Sequence, residues 1–212
     1  MIVPIGQWVL EQACRQVVAW QAEFVDQAAL MVSVNLSPRQ FQQPNLVGEV
    51  SRALREGGLA PAWLKLEITE GVIMQDVEAT VRTLGQLKEL GVQLAIDDFG
   101  MGYSSLSYLK RLPLDILKID RIFINGIGQD SEDTAIVRAI IGMAKAMNLT
   151  IVGEGIETAE QAALLRGWQC DRGQGYFYSR PLDASALSEL LRKSCQGLLH
   201  ESRPDGHPVR AA

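Results

Sequence analysis

Apolar residues in this chain recur with two periods, two residues in some stretches and about three and a half in others, and the two kinds alternate along the sequence. From Pro4 to Ala19 the residues Ile5, Trp8, Val9, Ala13 and Val17 fall at helical spacing, predicting an opening amphipathic helix with no strand before it. Leu30 to Leu36 reads as a strand entering a loop at Ser37-Pro38, and a helix from about Asn45 to Glu56 stops at Gly57-Gly58. Leu64 to Thr69 alternates Leu64, Leu66 and Ile68 with Lys65, Glu67 and Thr69, and a helix through Val77, Val81, Leu84 and Leu87 ends at Gly91. Gln93 to Asp97 is the third strand, followed by the glycine-containing loop Gly100 to Ser105 and a short helix that Pro113 closes. Ile116 to Ile119 is the fourth strand, Ser131 to about Met147 a helix, and Thr150 to Gly153 the fifth strand. Thr158 and Gln161 offer a capping box for a helix ending near Gly167, a sixth strand is expected near Tyr176 to Ser179, and a final helix follows Asp183.

Strands separated by roughly twenty to thirty-five residues of helix and loop indicate βα units and a parallel sheet, either a barrel or an open doubly wound sheet. Asn35, Glu67, Asp97, Lys118 and Glu154 each stand at or just beyond the C-terminal end of a successive strand. A (β/α)8 barrel brings such positions to one mouth, whereas an open sheet gathers its ligand at a single switch point, so the pattern favours a TIM-like barrel. A complete barrel usually needs about 250 residues. With six strands found, the expected fold is an α/β, TIM-like (β/α) barrel that is incomplete, lacking its first strands, so that the chain is a fragment or another segment completes it.

Composition narrows the function more than the fold. The chain has 212 residues, 47% hydrophobic and 21% charged, with a net charge of -5, so it carries no basic footprint for a DNA duplex. Three scattered cysteines, Cys14, Cys170 and Cys195, make neither a zinc cluster nor a disulfide framework and suit a reducing, cytoplasmic setting. No apolar run approaches a membrane span, and no signal-peptide layout opens the chain. Both histidines, His200 and His207, lie in the polar stretch 196–212, which reads as a disordered tail beyond a domain at 1–195. Hydrolytic chemistry must therefore come from carboxylates, amides, lysines and bound ions.

Hard divalent cations such as Mg²⁺ and Mn²⁺ take oxygen ligands, and Asn35, Glu67, Asp97, Asp98 and Glu154 supply them. Two adjacent carboxylates repel and raise each other's pKa unless cations neutralise them, so a metal site is the economical account of Asp97-Asp98; the plainer alternative is a turn in which Asp98 bonds loop amides near Gly100 and Gly102. Lys118 should project from a strand end into the same pocket, either balancing the acids or orienting a water and neutralising a phosphate oxygen.

Taken in order, Ser33-Val34-Asn35-Leu36-Ser37, Glu67-Ile68-Thr69-Glu70, Asp97-Asp98-Phe99-Gly100, Leu117-Lys118-Ile119-Asp120, Glu154-Gly155-Ile156-Glu157-Thr158 and Gln174-Gly175-Tyr176 resemble the EAL family of cyclic-di-GMP phosphodiesterases from about Pro4 to Leu182. The resemblance implies a hydrolase of bacterial second-messenger signalling that opens cyclic-di-GMP to linear pGpG with two Mg²⁺ or Mn²⁺ ions. It implies that Asn35, Glu67 and Asp97 hold one ion, that Asp97 and Asp98 share or hold the second, and that Lys118 positions the water. Glu154 then serves as a metal or water ligand, Glu157 and Gln174 support the water network, and Glu70 anchors the loop Phe99 to Ser105. Tyr176, Arg180 and Pro181 are candidate contacts to the nucleotide. The family loop usually has threonine where Met101 stands and often serine at Gly71. The family's Glu-Ala-Leu strand, with its metal-binding glutamate and a following arginine, is absent, and its first strands would precede Met1, so feeble or no hydrolysis is expected from residues 1–212 alone. The resemblance also admits a homodimer through the helices near Asp98 to Leu112 and an upstream sensory or GGDEF-like domain. The alternative is a degenerate domain that binds cyclic-di-GMP or docks a protein without catalysis; a different Mg²⁺-dependent barrel enzyme is a remoter one.

Overall fold

A computed structural model describes residues 1–24, 30–73, 76–101 and 106–195, the side chains of Leu106 and Cys195 excepted. The stretch 196–212, expected as a disordered tail, lies outside the described residues. The order is α1 (Ile2–Glu23), β1 (Val32–Asn35), α2 (Pro38–Phe41), α3 (Leu46–Gly57), β2 (Leu64–Thr69), α4 (Glu70–Ile73), α5 (Val77–Glu89), β3 (Gln93–Phe99), α6 (Leu106–Leu109), β4 (Ile116–Ile119), α7 (Arg121–Gly126), α8 (Ser131–Ala146), β5 (Thr150–Gly153), α9 (Ala159–Gly167), β6 (Arg172–Gly173) and α10 (Ala184–Cys195).

The six strands pair in sequence order, β1-β2-β3-β4-β5-β6, and every pairing is parallel. A doubly wound sheet would reverse its order at a switch point; strictly sequential winding is that of a (β/α)8 barrel, here as an open six-stranded arc. Central strands are buried on both faces, as a parallel sheet requires, and all four residues of β4 are buried. One face, with Leu64, Leu66, Ile68, Leu94, Ile96, Leu117, Ile119 and Ile151, packs under the helices in the main core. The other holds a small apolar cluster of Ala95, Ile116 and Val152, together with the polar residues that alternate with the core positions.

Aspartates join neighbouring strands at the lower rim. Asp115, just before β4, accepts a hydrogen bond from the Leu94 amide at 2.8 Å and pairs with Lys88 of α5 at 2.8 Å. Asp171, just before β6, does the same for the Ile151 amide at 2.8 Å. Each places an acceptor on the first free amide of the preceding strand.

The structure departs from the sequence expectations at three places. The sixth strand is Arg172–Gly173, while Tyr176 to Tyr178 form a turn in which the Tyr178 amide donates to Gly175 O at 3.0 Å. The aromatic run looks like a strand, but the turn removes its amides from any ladder. The helix α1 docks through Leu10, Cys14 and Val17, leaving Ile5, Trp8 and Val9 exposed. Finally, the segment expected as a loop at Pro38 is a helical turn, begun by a capping box in which the Ser37 hydroxyl accepts from the Gln40 backbone N–H and the Ser37 backbone N–H donates to Gln40 Oε1.

Asp115→Ala removes both the acceptor for Leu94 and the partner of Lys88. Urea unfolding should show a loss of about 1–3 kcal/mol, with an unchanged m-value.

Candidate metal centre

Strand pleating sends Lys65, Glu67 and Thr69 to the face opposite Leu64, Leu66 and Ile68, and register carries that face across the sheet: Thr69 stands beside Asp97, and Lys118 beside Val152. Regular alternation would aim Asp97 and Asp98 in opposite directions. It is broken where β3 meets β4, since Ile96 pairs with Leu117 and Phe99 with Ile119, leaving two β3 residues against Lys118 alone. Within this bulge Asp98 takes φ 53°, a left-handed conformation that aspartate tolerates better than most residues. The consequence is that Asp97, Asp98 and Glu154 each place a carboxylate oxygen within 4.8 Å of the others.

The Lys118 ammonium, 4% exposed, sits among the acids. It lies 2.5 Å from Glu67 Oε2, 2.7 Å from Glu154 Oε1 and 2.9 Å from Asp97 Oδ1. The last contact is close but misaligned, so Asp97 Oδ1 is buried without a hydrogen bond, alone in this among the buried side-chain polar atoms of the described residues. Burial disfavours the Lys118 ammonium, but Glu67 and Glu154 outweigh it and hold the proton more firmly than usual. Glu154 is pushed up to about 7, first by burial and then by the charges of Asp97 and Glu67, against the opposing pull of Lys118. Asp98 is raised first by burial, then by its close approach to Asp120 and by the charge of Asp97. One ammonium does not neutralise this group, and an orphaned oxygen beside converging hard donors fits a divalent cation.

The remaining expected residues fall unevenly. Asn35, at the end of β1, pairs in register with Glu67 but is exposed because β1 is an edge strand. Glu70 is buried, and its Oε2 accepts the Gly100 amide at 3.2 Å, so the amide that the turn alternative would give to Asp98 goes to Glu70. Residues 102–105 of that loop lie outside the described set. The side chains of Glu157 and Gln174 are exposed; the Glu157 amide donates to Gln161 Oε1 at 2.8 Å, and the two loops interlock through Ile156, whose amide donates to Gln174 O at 3.0 Å and whose carbonyl accepts the Phe177 amide at 2.9 Å. Gly175 is required there, since a Cβ would overlap the Ile156 backbone. Tyr176 and Pro181 are exposed, and the Arg180 guanidinium lies 4.7 Å from the Tyr176 ring centroid.

Two residues in this region stand in the sequence motifs and strands already named but carried no assigned role. Asp120 is buried, caps α7 by accepting the Ile122 amide at 2.7 Å, and faces Asp98; its position before a helix was the available signal. Lys65, 2% exposed, lies one pleat below Glu67 on the same face, which the i, i+2 spacing could have told.

This constellation of strand-end acids around one lysine defines a barrel-type domain with an acidic centre, and comparison with known proteins places it. The family model described as EAL domain matches residues 1–181, and the chain belongs to that family. It is 46% identical over 192 residues, 91% of its length, to the cyclic di-GMP phosphodiesterase NbdA of Pseudomonas aeruginosa, covering 24% of that protein. It is 47% identical over 187 residues, 88% of its length, to the bifunctional diguanylate cyclase/cyclic di-GMP phosphodiesterase MucR of the same organism, covering 27% of it. The chain thus spans about a quarter of the length of these curated relatives. The structure of PaMucR phosphodiesterase in a c-di-GMP complex superposes with TM-score 0.84 at 47% identity, over 88% of this chain and 74% of that one. A manganese/cy-diGMP complex of Klebsiella pneumoniae BlrP1 superposes with TM-score 0.74 at 28% identity, over 84% of this chain and 45% of that one. No helix among the described residues is long and apolar enough to cross a membrane.

Two outcomes test the electrostatics. Lys118→Met, which leaves Glu67, Asp97 and Glu154 without their shared cation, should destabilise the metal-free protein by about 3–5 kcal/mol, and calorimetry should show Mn²⁺ raising its Tm more than that of the wild type. Because the folded Glu154 carboxyl titrates above its ordinary 4.5, its contribution is fully present below about 4.5 and is lost as pH rises through about 7. Metal-free protein should therefore lose stability between pH 5 and 8 in chemical denaturation, and Glu154→Gln should flatten that slope.

Proposed function

We propose that this chain is the ion-holding part of a cyclic-di-GMP phosphodiesterase that adds water across one phosphodiester to give linear pGpG. The observation that carries the reading is the buried Asp97 Oδ1, ion-paired with Lys118 but without a hydrogen bond, in a group whose neighbours Asp98 and Glu154 stand within reach of a shared cation. Asp97, Asp98 and Glu154, joined by Glu67 and the Asn35 carbonyl, would hold the Mg²⁺ or Mn²⁺ ions, two in number by the family resemblance. Bound there, the ions would activate water and stabilise the attacking and leaving oxygens of an in-line displacement.

The chain's own groups supply the rest. The water oxygen bonds to phosphorus, the P–O3′ bond breaks, and O3′ takes up a proton. Lys118, whose ammonium stays protonated across the physiological range, orients the water and offsets negative charge growing on the phosphoryl oxygens. Glu154, 2.7 Å from the Lys118 ammonium, would help hold an ion and the water beside it. Glu70 fixes the backbone after Asp98 through Gly100, and Glu157 and Gln174 steady the neighbouring loops and their water. Tyr176, with Arg180 stacked on it and Pro181 beside it, offers a face for a guanine base. The cytoplasm, where nucleotide second messengers act, is the fitting location; pairing of copies near Asp98 to Leu112 and a GGDEF-like neighbour domain are compatible partners.

A non-catalytic cyclic-di-GMP receptor is the second reading, favoured by Lys118 already serving the acids as an internal cation. Because Asn35 stands exposed on an edge strand, the ion set is open on one side, and turnover by residues 1–212 should be slow. Chromatography of purified protein with cyclic-di-GMP should show Mn²⁺- or Mg²⁺-dependent pGpG at a rate about 100-fold or more below that of a complete family domain, and Asp97→Asn should abolish it. A rate equal to the complete domain's contradicts the open-site account. Tight dinucleotide binding without metal and no pGpG replaces the enzyme reading with the receptor.

A further inference from the structure

Gln161, in the first turn of α9, is a buried amide whose bonds exceed what its helix asks of it. Its Oε1 accepts two backbone amides, from Glu157 at 2.8 Å and Thr158 at 3.1 Å. Its Nε2 donates to Ile124 O, a carbonyl of α7, at 3.1 Å, and this bond is buried. The capping box that opens α9 needs only the side-chain oxygen, a service that glutamate performs as well as glutamine. The amide nitrogen, spent on another helix, lies outside that motif. An ionised carboxylate in its place has no N–H to give and sets an oxygen against the Ile124 carbonyl.

The segments that Gln161 joins bear on different acids of the centre. Helix α7 begins at Asp120, which faces Asp98, and its Phe123 ring packs against Gly100, two residues beyond Asp98. The same helix meets the loop after β5, where Gly155 lies so close to Arg121 that a Cβ would overlap the arginine side chain. Glu154 immediately precedes that contact, and its own amide donates to Ile119 O at 3.1 Å. How the loop 154–158 seats against α7 therefore governs where the Glu154 carboxylate stands relative to Asp97 and Asp98. Gln161 grips both sides of that seat, the loop through two amides and the helix through one carbonyl.

We propose that Gln161 is a positioning residue of the acidic centre, tying the loop after Glu154 to α7 so that Glu154, Asp97 and Asp98 keep the separation one divalent cation can bridge. It touches neither ion nor substrate and acts through Glu154. The inference rests on the reading of these acids as ion ligands and adds the residue that spaces them. Groups that orient metal ligands from behind typically govern affinity by about 10–100-fold.

Calorimetric titration of the full chain with Mn²⁺ near neutral pH, alongside melting curves, tests it in three variants. Gln161→Met, of like length but with no N–H to give, loses both grips and should bind Mn²⁺ about tenfold or more weakly. Gln161→Glu keeps the acceptor for Glu157 and Thr158 and loses the bond to Ile124 O, so it should regain most of the Tm lost in Gln161→Met while its affinity stays reduced. Thr158→Val breaks the reciprocal half of the capping box and leaves the Gln161 side-chain bonds in place; it should lower Tm yet hold Mn²⁺ affinity within about twofold of wild type. If Gln161→Met unfolds by circular dichroism, Gln161→Glu decides. Wild-type affinity in Gln161→Glu, or a loss in Thr158→Val matching that of Gln161→Met, reduces Gln161 to a helix cap and overturns the proposal while the ion site stands. A wild type that binds no Mn²⁺ overturns the ion reading and this proposal with it.

Discussion

One buried ammonium is shared by Glu67, Asp97 and Glu154, and much of the structure serves to keep them together despite their repulsion. Four strands contribute, since Glu67 lies on β2, Asp97 on β3, Lys118 on β4 and Glu154 just past β5. Sequential parallel winding makes that possible, because it brings every strand's C-terminal end to the same rim. With Asp98 and Asp120 adjoining, the acids outnumber the cation, and the imbalance is expressed as raised Glu154 and Asp98 carboxyls and an oxygen of Asp97 left without a hydrogen bond. Each is relieved by added positive charge, which ties the stability of the fold to the chemistry at its mouth.

The bulge between Ile96 and Phe99 is the local device on which this depends. In a regular strand one of two adjacent aspartates would turn toward the helices and the apolar core. The extra residue and the left-handed Asp98 let both reach the rim, and Glu70, drawn inward from the start of α4, holds the Gly100 amide just beyond. Bulges of this kind re-aim side chains at active sites. Membership of the EAL family shows that the arrangement belongs to a lineage with cyclic-di-GMP phosphodiesterases in it.

What was readable in the sequence followed from periodicity. The first five strands, with their alternating or unbroken apolar runs, and the acids at their ends were legible because both are local patterns. The sixth strand was not, because Arg172-Gly173 is short and polar while Tyr176 to Tyr178 imitates a strand, and only the Gly175 turn reveals the difference. At α1 the spacing named Ile5, Trp8, Val9, Ala13 and Val17, of which Val17 is buried and Ala13 packs on the core while Ile5, Trp8 and Val9 are exposed, because helical spacing alone does not say which residues meet a neighbour. The bulge was invisible for a related reason: register is a property of two strands, and no single strand encodes it. Lys65 reads as a surface residue until one sees that both faces of β2 are covered.

The proposed pair of cations among the acids around Lys118 is open to direct measurement. Anomalous diffraction at the manganese absorption edge, from crystals grown with Mn²⁺, tests it directly. Two peaks about 3.5–4 Å apart, one within ligand distance of Asp97, Asp98 and Glu154 and the other between Asp97 and Glu67, are the predicted result. A map without peaks, in which Lys118 still joins the three carboxylates at millimolar Mn²⁺, would contradict it.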